Sequence, residues 1–168
     1  YHPKKTAHDF YIDTYLTDQN ACSSPRIVCW LGRDVETAQK TFWSALYEEI
    51  REYDIAPVTT VNKLLTFCKF AAENECSLTM GPDCRLIRVK SRSLSRTILQ
   101  NIGNGGYFYE CTISDIREIL PICTWELQTI SYIGLDGDVL RKLIFSNTPD
   151  GVDRVVPVGR TMEFGFVW

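Results

Sequence analysis

The spacing of apolar residues predicts helices and strands in alternation along the chain. Helical spacing predicts a helix over residues 6–15, and the run IVCWL at 27–31, which ends at Gly32, predicts a buried strand. Asp34 can cap the helix that follows, and Pro57 favours the first turn of another. We expect this second helix to carry its apolar face on Val61, Leu64, Leu65, Cys68 and Ala72.

The second half of the chain shows mostly β-type patterns. Polar and apolar residues alternate over 85–90, and the glycine-rich residues 103–106 predict a sharp turn before a strand at 107–113. Ser114 is expected to cap a short helix that ends near Ile122. The remaining predicted elements are a strand at 127–133, a helix at 137–145 and a strand at 154–158.

This order of elements predicts an α/β fold, a three-layer sandwich around a mostly parallel sheet, because crossover helices cover both faces of such a sheet. We expect one domain over residues 1–168. The chain starts at Tyr1 without an initiator Met, and its closing apolar run at 164–168 needs a surface to pack against. We therefore expect a piece excised from a longer chain.

Composition and charge argue against several classes of partner. Lys plus Arg number 18 and Asp plus Glu 21, so the net charge of -3 provides no field to attract nucleic acid or an anionic membrane. Seven cysteines form an odd set without a C-x-x-C pair, and the only two histidines lie near one end, so we expect no metal site. With no signal peptide and no apolar run near 18 residues, we expect a reduced, cytoplasmic protein that does not span a membrane.

Cys22 is the strongest candidate for chemistry. It lies in a polar stretch of small residues, 17–26, that leads directly into the first predicted strand. A thiolate there attacks a carbonyl carbon well, and the small neighbours Ala21, Ser23 and Ser24 leave room for a substrate and for backbone N–H groups that face an oxyanion. The alternative is that Cys22 is one more structural thiol.

Three segments carry a resemblance to a known family. The segments are DQNACSSP at residues 18–25, LQT at 127–129 and GVDRVVPVGR at 151–160. In this order, across most of the chain, they resemble the long-chain fatty acyl reductases of bacterial bioluminescence, a branch of the aldehyde dehydrogenase superfamily. The first and last of these matches are specific rather than generic. The resemblance implies an aldehyde-dehydrogenase-like catalytic domain whose nucleotide-binding domain is absent from this sequence.

The resemblance implies an oxidoreductase that works through an acyl-Cys22 thioester. A long-chain acyl group would move from coenzyme A or an acyl-protein to Cys22, and NADPH, bound mainly by the missing domain, would reduce the thioester to a fatty aldehyde. The backbone N–H of Cys22 would be one oxyanion donor, and a second would come from the missing domain. The resemblance further implies acyl-transferring partner subunits of a fatty acid reductase complex and a homo-oligomer in the full-length protein.

Three other residues are candidates for the site, each with a structural alternative. Asn20 could orient the acyl carbonyl or simply form a turn. Arg26 could lower the pKa of Cys22 or bind a phosphate, although an arginine that begins a strand is commonly solvated. Gln128 could line the site or sit on a strand edge. We name no cofactor-binding residue, because no glutamate stands near residues 103–106, where the family would place it.

Two other functions stay open. The first is a cysteine-dependent acyltransferase or thioesterase that needs no nicotinamide. The second is a non-catalytic oligomerisation module, suggested by the apolar residues 164–168.

Overall fold

The computed structural model describes residues 2–147 and 150–163, which form an α/β fold with a mostly parallel open sheet. The strands are β1 (Ile27–Leu31), β2 (Cys76–Met80), β3 (Ile87–Ser91), β4 (Tyr107–Ile113), β5 (Thr129–Tyr132) and β6 (Arg154–Pro157). The helices are α1 (Pro3–Thr14), α2 (Val35–Glu49), α3 (Pro57–Ala71), α4 (Arg96–Gln100) and α5 (Gly137–Ser146). Two 3₁₀ helices cover Tyr15–Thr17 and Ile116–Ile122.

The main sheet has the strand order β1-β4-β3-β2. β1, β4 and β3 run parallel, with Ile27 opposite Tyr109, and β2 pairs antiparallel with β3 at the sheet edge. β5 and β6 form a separate two-stranded parallel sheet. Because parallel strands begin at the same edge, the loop before β1, which contains Cys22, is brought next to the turn before β4.

Helices pack on both faces of the main sheet. Phe10 of α1 and Trp43 of α2 meet Phe108 of β4 on one face. On the other face, Phe70 of α3 packs edge-on against Tyr109, with their ring centroids 4.8 Å apart. A third apolar cluster joins α5 to the second sheet. The prediction of an α/β fold with a mostly parallel sheet is therefore confirmed.

The apolar face predicted for α3 is wrong at every position except Leu64, which is partly buried and packs against the core. Val61, Leu65, Cys68 and Ala72 are exposed, and the buried positions are Lys63 and Phe70. Apolar residues lie on more than one side of this helix, so its periodicity does not select the face that meets the sheet.

Two elements were not predicted, and one cap differs. β2 has no buried residue, and because it pairs only with β3 its pattern lacks the signal of a buried strand. α4 is only five residues long. The second 3₁₀ helix begins after Asp115, which forms a capping box with Glu118, so the prediction that Ser114 caps it is wrong. Ser114 instead donates its backbone N–H and its hydroxyl to Glu118.

β1 and β4 keep their predicted bounds, but β1 is an edge strand without a buried residue, so the prediction of a buried strand at 27–31 is wrong. The bounds of the other predicted strands move by one or two residues, as is usual at element ends. The predicted closing run at 164–168 lies outside the described residues. None of the helices described is long and apolar enough to cross a membrane.

Candidate functional site

Cys22 lies in a tight turn on the surface. The chain leaves the 3₁₀ helix Tyr15–Thr17, reverses through left-handed backbone at Asp18 and Gln19, and turns again where the Ser24 N–H donates to the Ala21 carbonyl at 3.0 Å. Cys22 and Ser23 are the central residues of this second turn, and the Cys22 side chain is exposed. We call residues 18–26 the Cys22 loop. The predicted nucleophile is therefore accessible to an incoming carbonyl.

Gln19 connects the Cys22 loop to the main sheet. Its side chain is fully buried and makes four hydrogen bonds. The amide nitrogen donates to the carbonyls of Pro25 and Tyr107 at 2.8 and 2.9 Å, and the amide oxygen accepts the N–H groups of Gly106 and Tyr107, both at 3.1 Å. This arrangement uses all four hydrogen-bonding sites of the amide, so Gln19 links the loop to the start of β4 without an unsatisfied polar atom.

The loop is fastened to residues 103–106, which we call the glycine turn. Arg26 donates to the Gly103 carbonyl at 2.7 Å, and the Gly105 N–H donates to the Asp18 carbonyl at 2.9 Å. Gly106 has a φ of +88°, and a Cβ there would lie 2.1 Å from the Arg85 carbonyl oxygen. Only glycine allows this close approach.

Asn20 and Arg26 thus lie with Cys22 on one loop, where each contacts the glycine turn. The side-chain oxygen of the exposed Asn20 accepts a hydrogen bond from the half-buried Asn104 at 2.9 Å. Burial lowers the pKa of the half-buried Arg26 guanidinium. These contacts provide structural roles, and the catalytic and substrate-binding roles of the two residues stay predictions.

Gln128 lies before β5 and is not on the Cys22 loop. Its side chain is exposed just before β5, and its backbone carbonyl accepts the N–H groups of Asp153 and Arg154. Across the residues that the structure describes, no hydrogen bond or ion pair joins Gln128 to Cys22, Asn20 or Arg26. Its predicted role in substrate binding also stays a prediction.

Sequence reasoning missed a second segment next to the loop, residues 159–163, which we call the strap. The Ser23 hydroxyl donates to the thioether sulfur of Met162 at 3.6 Å. The strap is held by Asp13, whose buried carboxylate accepts the N–H groups of Gly159 and Thr161. Burial raises the pKa of Asp13, and these two hydrogen bonds oppose the rise. The sequence signal for this contact is Asp13 itself, because a charged residue on the buried face of a helix needs a polar partner.

The seven cysteines are all free, and they differ in accessibility. Burial raises the pKa of Cys29 and of Cys111 to about 12, and that of Cys123 to about 11, so these thiols are neutral and inert at pH 7. Cys22 and Cys68 are exposed. Cys68 lies on α3, away from any loop, and is therefore a natural reference thiol for Cys22.

The glycine turn does not fit a nucleotide phosphate. The glycine turn precedes a strand instead of a helix, and the N–H groups of Gly105 and Gly106 are already bonded to Asp18 and Gln19. They are therefore not available to cradle a phosphate. Within residues 2–147 and 150–163, no cluster of three or more His, Cys, Asp or Glu side chains is placed to hold a metal ion.

A cavity of about 410 Å³ lies away from the Cys22 loop, between α2 and the β2–β3 hairpin. Trp43, Tyr47, Met80 and Arg88 are among its lining residues, and no residue of the Cys22 loop is. The site around Cys22 is thus an exposed turn, and the described residues do not enclose it in this cavity.

We expect Arg26→Met to lower the free energy of unfolding by about 1–2 kcal/mol, because the half-buried Gly103 carbonyl loses its charged donor. Urea unfolding measures this change. Arg33→Met is the matched control, since Arg33 is exposed and should change stability by less than about 0.5 kcal/mol. An equal effect of both substitutions would contradict the anchoring role of Arg26.

No known family model matches the chain, and a search of curated proteins finds no match. The assignment of function therefore rests on the geometry of the Cys22 loop and on the resemblance of the three segments.

Proposed function

We propose that Cys22 accepts a long-chain acyl group as a thioester in an aldehyde-dehydrogenase-like acyl reductase. The observation that carries this proposal is the display of the Cys22 thiol, exposed, at the centre of a turn that hydrogen bonds fasten to the sheet. A nucleophile needs access to the substrate and a fixed position relative to it. The other exposed thiol, Cys68, has access but sits on a helix surface.

Acyl transfer to Cys22 exchanges one thioester for another. The Cys22 thiolate attacks the carbonyl carbon of the donor, a new S–C bond forms, and the S–C bond to coenzyme A or the acyl-protein breaks. The departing thiolate takes up a proton, which balances the proton lost by Cys22. Because the bond formed and the bond broken are of the same type, the main task of the protein is to stabilise the tetrahedral oxyanion.

The turn supplies candidate donors for that oxyanion. In the described part of the chain, no oxygen accepts a hydrogen bond from the backbone N–H of Cys22 or Ser23. Both groups belong to the turn that presents the thiol, so they lie near any carbonyl that Cys22 attacks. Unengaged N–H groups beside a nucleophile are the usual form of an oxyanion hole.

The resemblance assigns the reducing step to NADPH, which would supply hydride to the acyl group. The glycine turn is not available for the phosphates of that nucleotide, since its Gly105 and Gly106 N–H groups already bind the Cys22 loop. We therefore propose that NADPH is held elsewhere in the complete enzyme, and the role proposed for this chain is to form and hold the acyl-Cys22 thioester.

The test is to trap the acyl intermediate in the complete enzyme. After exposure to radiolabelled long-chain acyl-CoA without NADPH, we expect a thioester at Cys22 in the wild type and in Cys68→Ala, and none in Cys22→Ala. Peptide mass spectrometry locates the label, and added NADPH should discharge it as aldehyde. Labelling that persists in Cys22→Ala would refute the proposal.

The same experiment separates the two rivals. Steady release of free acid without NADPH would identify a thioesterase, in which water resolves the acyl-enzyme. The oligomerisation module is favoured by the exposed apolar residues Val58, Val61 and Leu65 of α3. Absence of any adduct in the complete enzyme would support that module.

A further inference from the structure

We infer that Asp13 is a positioning residue for the Cys22 loop and that it acts through the strap, residues 159–163. The inference deepens the proposed function, on which it rests, because it says which distant groups hold the nucleophile's turn in place. Asp13 does not touch the thiol; the path runs from its carboxylate to the strap, and from Met162 of the strap to Ser23.

Asp13 binds the amide side of the strap. Its Oδ2 accepts the Gly159 N–H at 2.6 Å and its Oδ1 accepts the Thr161 N–H at 3.1 Å. The side chain is fully buried at the end of α1. Burial of a carboxylate destabilises the folded state unless the group is hydrogen-bonded, so these two hydrogen bonds compensate for the burial of Asp13. They also fix the position of the strap on α1.

Arg154 binds the carbonyl side of the same strap. Its guanidinium donates to the carbonyls of Thr161 at 3.0 Å and Arg160 at 3.3 Å, and also to that of Glu163. Arg154 is itself buried, with 8% of its surface exposed. The strap is therefore fixed by two buried charged side chains: the Asp13 carboxylate accepts its N–H groups, and the Arg154 guanidinium donates to its carbonyls. An ordinary surface loop lacks such buried contacts.

Gly159 lets the strap approach α1 closely. It has a φ of +90°, and a Cβ at this position would lie 2.8 Å from the Asp9 Cβ. Any other residue would push the strap away from the helix and lengthen the contacts to Asp13.

The strap reaches the nucleophile's turn through Met162. Ser23, which follows Cys22, is buried and donates its hydroxyl to the Met162 sulfur. Between the anchored residues Gln19 and Arg26, the turn at 21–24 has few other restraints, namely the Ser24 N–H bond to the Ala21 carbonyl and a 3.4 Å contact between the Ser24 and Thr17 hydroxyls. A thioether is a weak acceptor, so Met162 restrains Ser23 only when the strap itself is held in place.

Amide exchange measured by NMR in the complete protein tests this path. In Asp13→Asn the carboxamide directs an NH₂ group at one of the two strap N–H groups. We expect the amides of Gly159, Thr161 and Ser24 to exchange at least about tenfold faster, while that of Ile50 in the core is unchanged. Asp9→Asn, on the same helix, is the matched control and should leave all four rates unchanged.

A second variant keeps the test decisive if Asp13→Asn fails to fold. Met162→Leu keeps the apolar volume of a side chain that is 38% exposed and removes only the acceptor. We expect faster exchange at Ser24 by about threefold, with Gly159 and Thr161 unchanged. Unchanged exchange at Ser24 in Met162→Leu would overturn the inference, as would unchanged exchange there in a folded Asp13→Asn.

Kinetics separates positioning from general stability. In Asp13→Asn we expect the rate constant for acylation of Cys22 to fall about tenfold, with the KM for acyl-CoA within about twofold, because the strap acts on the turn and not on substrate binding. If the wild type forms no adduct, the proposed function fails, and the exchange rates at Ser24 still decide whether Asp13 positions the turn.

Discussion

Replacement of Gln19 by leucine is expected to lower the free energy of unfolding by about 3–5 kcal/mol. Leucine is one atom shorter than glutamine but is likewise unbranched at Cβ, so the left-handed backbone at this position is equally tolerated. It removes three buried hydrogen bonds to Gly106 and Tyr107 and a partly buried one to Pro25. Each loss leaves a buried backbone group short of a partner, and such groups cost about 1–3 kcal/mol each when unsatisfied.

Urea unfolding under reducing conditions measures this change, and Gln128→Leu is its matched control. The Gln128 side chain is exposed, and only its backbone carbonyl is bonded, so we expect a change below about 0.5 kcal/mol. A loss of less than about 1 kcal/mol in Gln19→Leu would mean that water replaces the amide, and that Gln19 is not what connects the Cys22 loop to β4.

Lys63→Met is expected to stabilise the protein at pH 7 and to lose that advantage in alkali. Lys63 is buried on α3, and its ammonium donates to the Cys84 carbonyl at 2.8 Å. Burial lowers its pKa to about 8 from an ordinary value of 10.5. Below pH 8 the folded protein must hold a buried charge, which opposes folding. Because one pKa unit corresponds to about 1.36 kcal/mol, the lowering of the Lys63 pKa amounts to about 3 kcal/mol.

The sign of the pH dependence follows from proton binding. Between pH 8 and 10.5 the unfolded chain keeps the lysine proton and the folded chain releases it, so the wild type gains stability relative to Lys63→Met as the pH rises. Since methionine also loses the bond to Cys84, we expect a net gain of about 2 kcal/mol at pH 7 and a net loss of about 1 kcal/mol at pH 10.5.

Urea unfolding of both proteins at several pH values gives this difference. The thiols of Cys29 and Cys111, whose pKa is raised to about 12, lower stability in alkali in both proteins, so their effect cancels. Lys69→Met, an exposed lysine on the same helix, should give a difference that does not vary with pH. A pH-independent gain in Lys63→Met would contradict the lowered pKa of Lys63.

The position of the Cys22 loop illustrates how far local patterns reach. The loop was predicted from its small polar residues and the strand that follows, and the structure exposes Cys22 there. Its partners could not be predicted in the same way, because Gln19 and Tyr107 are 88 residues apart and Asp13 and Thr161 are 148 apart. The hydrophobic pattern of neighbouring residues does not specify which distant backbone groups a buried polar side chain will bind.

The sequence by itself determined most of the helices and strands and their order, the bounds of β1 and β4, and the placement of Cys22 between a helix and a strand. Those features depend on the periodicity of neighbouring residues, which is local. Only the tertiary structure decided that α3 buries Lys63 instead of Leu65, that β2 pairs along the sheet edge, and that the strap lies against the Cys22 loop. These depend on which surfaces meet after folding, and short-range hydrophobic spacing does not specify them.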